Sequence, residues 1–141
     1  MKVFIAGIMQ GNRSDDKIYS QDYRKIITKK LHALVDGVEI INPDKTDPDR
    51  LTYTYEEARD MFFRYCKIAS EVDLFIAYIP EASMGSAVEM WIAHKKNIPI
   101  ITISPLKLNW VVKLLSTIIY FDIDEFLKNF NKNLLKRLDL V

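Results

Sequence analysis

Short apolar runs separated by longer amphipathic stretches constrain this chain more than any other feature. Leu74 to Ile79 (LFIAYI) and Ile98 to Ile103 (IPIITI) are apolar at nearly every position, and Lys2 to Ala6 (KVFIA) ends the same way at Gly7. A strand that is apolar at consecutive positions needs cover on both faces, which is the situation of a parallel sheet flanked by helices. Val38 to Ile41 reads as a further strand, closed by the turn residues Asn42-Pro43-Asp44, and Ile118 to Phe121 as a fifth. Between them, Tyr19 to Val35 carries Tyr23, Ile26, Ile27, Leu31 and Leu34 at three- and four-residue steps, the spacing of one helix face. Thr54-Tyr55-Glu56-Glu57 is a capping-box pattern that opens a helix to about Val72. Helices are expected over Ser86 to about Lys96, over Leu106 to Ser116, and in one final stretch capped by Asp122-Ile123-Asp124-Glu125.

With right-handed crossovers this order predicts a doubly wound, flavodoxin-like α/β fold of about five strands, in one domain spanning 1–141. Gly plus Pro amounts to only 4 and 5 residues of 141, in keeping with long elements and short loops. Ligands in such sheets bind beyond the carboxyl ends of the strands, where the strand order reverses. Attention therefore falls on the loops after Ala6, Ile79 and Ile103.

Several function classes are excluded or disfavoured by composition. With 20 Lys+Arg against 19 Asp+Glu the net charge is +1, which lacks the basic excess of a nucleic-acid binder. The single cysteine, Cys66, rules out an internal disulfide and a cysteine-rich zinc site. His32 and His94 fall on separate helices without ligand spacing, so no metal and no cofactor is expected. The apolar start Met1 to Gly7 is too short for a signal peptide, and no run approaches the ~18 residues of a membrane span. A cytoplasmic protein without a membrane partner is the expectation. Gly7 and Gly11 make neither a Gly-x-Gly-x-x-Gly dinucleotide turn nor a P-loop, and Ala6-Gly7-Ile8 lacks the acidic pair of a receiver domain.

The informative stretch is Tyr78 to Trp91 (YIPEASMGSAVEMW). A buried strand ends, a loop of small residues turns, and a helix begins with Glu89 expected in its first turn. Hydroxyls and free backbone N–H groups at such a turn form an anion cradle, favoured further by the helix dipole. A carboxylate beside that cradle could face the anomeric carbon of a sugar whose phosphate the cradle holds. The same Ser86-x-x-Glu89 spacing is also a plain capping box, in which the glutamate stabilises the helix without chemistry.

Phe4-Ile5-Ala6-Gly7, Asp73 to Tyr78 (DLFIAY), Ser83 to Glu89 (SMGSAVE) and Asn97-Ile98-Pro99-Ile100 together resemble the nucleoside 2-deoxyribosyltransferase family, which includes the 2′-deoxynucleoside 5′-monophosphate N-glycosidases. The resemblance runs from Lys2 to Ser104. It implies that Glu89 is a nucleophile that attacks C1′ as the base leaves, giving a glycosyl-enzyme that water or a second base then resolves with retained configuration. Transferases of the family acting on free nucleosides carry a carboxylate six residues before the nucleophile. The monophosphate hydrolases carry serine, as this chain does at Ser83. The implied substrate is therefore a nucleoside 5′-monophosphate, with base exchange and a non-catalytic nucleotide-binding module as alternatives. The implied binding residues are Gly7, Met9, Ser83, Gly85 and Ser86, with Arg13 of the Gly11-Asn12-Arg13 loop supplying charge to the phosphate.

Two positions depart from the family pattern. Phe4 stands where the family has a tyrosine bonded to the catalytic carboxylate, and Tyr65 stands where it has an aspartate near the leaving base. Tyr65 either supplies a hydroxyl to Glu89 or the base, or belongs to the apolar stripe with Met61, Phe62, Ile68 and Ala69. In related enzymes the region of Pro105 to Ser116 lies at a subunit contact, which implies a homodimer with Asn109 reaching the neighbouring site. Asn109 also fits a helix N-cap.

Overall fold

The computed structural model describes residues 1–11, 13–15 and 17–141, so Asn12 of the Gly11-Asn12-Arg13 loop and Asp16 lie outside the described residues. Five strands form one parallel sheet: β1 (Lys2–Gly7), β2 (Glu39–Ile41), β3 (Leu74–Tyr78), β4 (Ile100–Ile103) and β5 (Ile118–Tyr120), in the order β2-β1-β3-β4-β5. This is the doubly wound, flavodoxin-like α/β arrangement, with its switch point between β1 and β3. In register, Phe4 stands beside Phe75, Ala6 beside Ala77 and Gly7 beside Tyr78.

Alternation along the strands divides the core into two layers. Val3, Ile5, Leu74, Ile76, Ile101 and Ile103 point to one face, covered by helix α1 (Asp22–Leu34) and the C-terminal helices α6 (Ile123–Asn129) and α7 (Lys132–Arg137). Phe4, Ala6, Phe75, Ala77 and Ile100 point to the other, covered by α3 (Tyr55–Ala69) and α4 (Met84–Lys95). A short helix α2 (Pro43–Thr46) follows β2, and α5 (Trp110–Leu115) precedes β5. No helix among the described residues is long and apolar enough to cross a membrane.

Among the differences from the sequence expectation, such as α5 beginning at Trp110 rather than Leu106, four have a plain physical cause. Helix α1 begins at Asp22 rather than Tyr19, because Tyr19 is held in the preceding loop by its N–H on the Met9 carbonyl at 2.7 Å and its hydroxyl on Glu81 at 2.9 Å. The Asn42-Pro43-Asp44 turn continues into α2, since the Asn42 side chain caps it and proline takes the first helical position. The expected single C-terminal helix is two: Phe130 is extended, and Asn131 caps a new start by accepting from the Leu134 N–H. Helix α4 starts at Met84, two residues before Ser86, and its N-cap is Ser83. That last difference bears directly on the site.

Candidate active site

The β3–α4 junction places two of the expected residues by simple capping. The Ser83 hydroxyl accepts from the Ser86 N–H and lies 3.0 Å from the Ser86 hydroxyl. The N–H groups of Met84 and Gly85 open the helix, and neither has a hydrogen-bond partner among the described residues. With the helix beginning at Met84, Glu89 lies beyond its first turn, so the capping-box reading of Ser86-x-x-Glu89 does not apply.

Glu89 instead lines a cleft of about 250 Å³ at the carboxyl end of the sheet, between the switch-point strands. Ala6 and Gly7 from β1, Met9 and Gln10 from the loop after it, and Pro43 from the start of α2 form its floor and one side. Met61, Phe62 and Tyr65 from α3 form an apolar wall, and Ser83, Gly85 and Ser86 close the remaining side. Ala6, paired with Ala77 across β1 and β3, brings only a methyl group to the cleft floor. Gly7 is required by close approach: a Cβ there would stand 2.6 Å from the Tyr23 hydroxyl and 2.8 Å from the Tyr78 carbonyl oxygen. At Gly85 a Cβ would meet nothing within 4 Å, so the missing side chain keeps the cleft open rather than permitting the fold.

The Glu89 carboxylate accepts no hydrogen bond among the described residues, although it is only partly exposed. Burial pushes its pKa up to about 7, and the positive charge of Arg24 pulls the other way without prevailing. At neutral pH the group is thus divided between its acid and its carboxylate.

Arg24, another lining residue, lies outside the sequence expectation. Its Nε donates to Gln21 Oε1 at 2.8 Å, its Nη1 donates to the Ile5 carbonyl, and its guanidinium lies 5.0 Å from the centre of the Tyr23 ring. The sequence signal for it was position: Arg24 shares a helix face with Ile27 and Leu31, both fully buried. A cation on an apolar stripe asks for a buried partner.

Tyr65 lines the cleft with its ring, which stacks on Phe4 at 5.7 Å and 8° between planes. Its hydroxyl donates to Asp47, not to Glu89. Asp47 is buried and also accepts from Arg64 at 2.6 Å and from the Tyr53 hydroxyl at 2.9 Å. Burial works against the Asp47 charge, but these donors hold its pKa below the ordinary carboxylate value. Phe4 is fully buried between Tyr65 and Phe75 and offers no hydroxyl to the site.

The structure thus brings Glu89, Tyr65, Gly7, Met9, Ser83, Gly85 and Ser86 to one cleft and leaves two expected residues outside it. Arg13 is bound to Asp15 at 2.5 Å on the exposed loop. Asn109 caps α5, its side-chain oxygen accepting from the N–H groups of Val111 and Val112 at 3.0 and 3.4 Å. Among the described residues no group of three His, Cys, Asp or Glu side chains is placed to hold a metal.

No protein-family model matches the chain, and no curated protein matches it by sequence. Solved structures do. A conserved protein from Enterococcus faecalis V583 is similar with a TM-score of 0.66 and 14% identity, over 91% of this chain and 95% of that one. The 2-deoxyribosyltransferase of the psychrotolerant bacterium Bacillus psychrosaccharolyticus is similar with a TM-score of 0.66 and 14% identity, over 96% of each chain. Over nearly its whole length, then, the chain has the fold of a 2-deoxyribosyltransferase.

Proposed function

We propose that this protein is an N-glycosidase that releases the base from a (deoxy)nucleoside 5′-monophosphate, with Glu89 as nucleophile. One observation carries the reading: a carboxylate without a hydrogen-bond partner among the described residues faces a cleft that also receives the free N–H groups of a helix start. The likeness in fold to a 2-deoxyribosyltransferase supports it.

The chemistry balances without a cofactor. As the C1′–N bond breaks, its electron pair leaves with the base, and a Glu89 oxygen bonds to C1′. Water then adds to C1′ on the face the base has left, opposite Glu89, the carboxylate departs, and the proton released neutralises the base. Ser83, Gly85 and Ser86 hold the phosphate with hydroxyls and N–H groups, a neutral donor set that accepts an anion where a carboxylate would repel it. Met61, Phe62 and the Tyr65 ring offer the base an apolar wall.

Base exchange shares the first half of this reaction and differs only in what resolves the glycosyl-enzyme, so adding a second free base separates them. A nucleotide-binding module without turnover is the reading favoured by one specific feature, the engagement of the Tyr65 hydroxyl by Asp47, which leaves it no proton for the base. The deciding experiment incubates wild type and Glu89→Gln with nucleosides and their 5′-monophosphates and follows free base by chromatography. Wild type is expected to release base from monophosphates, with kcat/KM rising about tenfold per pH unit below pH 7 and levelling above it, as ionised Glu89 accumulates. The variant is expected to bind without release. Equal activity in the two proteins removes Glu89 from the mechanism, and binding without release by both selects the module.

A further inference from the structure

The cleft contains a buried cation that its own fold leaves incompletely bonded. Arg24 is 1% exposed and lines the cleft, and its Nη2 is buried without a hydrogen-bond partner. Its other nitrogens are fixed by Gln21 and Ile5, and the Tyr23 ring lies against the guanidinium. The group is therefore held from two sides, with one donor unused. A guanidinium has only donors, and a buried donor left unmatched is costly, so a ligand that brings an acceptor gains more there than at a solvated arginine.

The sheet order says which part of a nucleotide meets it. The Ser83–Ser86 turn enters the cleft from the β3 side of β1. Pro43, the first residue of α2, enters from beyond the end of β2, on the opposite side of β1. Arg24 is anchored on β1 at Ile5 and lies within the electrostatic reach of both Asp44, next to Pro43, and Glu89. A nucleotide whose phosphate sits at the Ser83 turn and whose C1′ meets Glu89 extends its base toward this second end.

We propose that Arg24 reads the base, its free N–H donating to a keto oxygen on the edge remote from the sugar, so that the cleft selects 4-keto pyrimidines and 6-keto purines over their amino counterparts. The proposal rests on the nucleotide reading of the site. An amino group at the same place would set donor against donor, the kind of mismatch that polar sites reject most strongly. The same contact meets the negative charge that moves onto the base as its bond to C1′ breaks. It thus supplies electrostatically part of what Tyr65, turned to Asp47, does not supply as an acid.

The test measures binding by calorimetry in the Glu89→Gln protein, where turnover does not interfere. Deoxyuridine is compared with deoxycytidine 5′-monophosphate, and deoxyinosine with deoxyadenosine 5′-monophosphate. The keto member of each pair is expected to bind at least tenfold tighter, and adding Arg24→Met is expected to bring each ratio within about threefold of unity while inorganic phosphate binds as before. Equal binding within both pairs in the Arg24-containing protein overturns the proposal even if the methionine variant fails to fold. Loss of inorganic phosphate binding in that variant with the ratios intact also overturns it, since Arg24 would then be a phosphate ligand. Base release is scored separately on wild type: keto preference without release sinks the glycosidase reading and leaves the assignment of Arg24 standing.

Discussion

A carboxyl group held near neutrality makes part of this protein's stability run against ordinary acid denaturation. Glu89 is raised by burial from 4.5 to about 7, so the folded chain binds that proton more tightly than the unfolded chain does. The stabilisation it brings is complete below pH 4.5, declines between 4.5 and 7, and is gone above 7. Glutamine cannot ionise, so Glu89→Gln is expected to match wild type in acid and exceed it at pH 8. The gain is at most roughly 3 kcal/mol, less whatever water in the open cleft screens. Chemical denaturation at pH 5 and pH 8 measures it, and a difference that does not grow with pH would show Glu89 to be solvated. Asp47 has the opposite sign: three donors hold it below 3.8, so its contribution is present above that pH and fades as acid is added. Glu89 stood out in the sequence because it follows a strand and a turn of small residues. Arg24 and Asp47 did not, because each takes its meaning from a partner distant in the chain, Ile5 for one and Tyr65 for the other.

Helix α4 carries both the proposed anion cradle and the proposed nucleophile, and substitutions in its first turn separate folding from binding. Gly85→Ala adds a methyl where nothing lies within 4 Å and replaces the poorest ordinary helix former with the best. The expected result is a gain in stability of up to about 1 kcal/mol with weaker monophosphate binding, read by thermal melts and calorimetry on one preparation. Ser83→Asp keeps a competent N-cap, so stability is expected to stay within about 0.5 kcal/mol. Its new charge is expected to lower the use of monophosphates relative to nucleosides at least tenfold; an unchanged ratio would remove the phosphate from this turn. Elements of this kind were legible to different degrees. The strands showed themselves because residues such as Leu74 to Ala77 are apolar at every position and buried on both faces. The start of α4 was ambiguous because Ser83 and Ser86 both present a hydroxyl three residues ahead of a helical N–H, and only the backbone decides which one caps. The C-terminal break was hidden because Phe126, Phe130 and Leu134 keep a helical apolar spacing across it.

The molecule as a whole leaves one side incompletely covered. Val88 and Trp91 on α4 and Trp110, Val111 and Leu114 on the adjoining α5 are exposed, with Trp110 at 80% and Leu114 at 66%. Apolar residues gathered in this way on neighbouring helices form a surface that monomers seldom leave open, and a second copy of this chain is the occupant proposed for it. Sedimentation velocity is expected to give twice the 16.5 kDa chain mass, and Trp110→Asp with Leu114→Asp to give the single mass without loss of fold. A wild type that sediments as one chain at micromolar concentration would reject the pairing. The capping of α4 also bears on how such proteins diverge. Serine and aspartate cap a helix start equally well, so, if the proposed phosphate site is correct, a lineage can exchange one for the other at position 83 and reverse its preference between charged and uncharged ligands in one inherited step, with the scaffold left as sound as before.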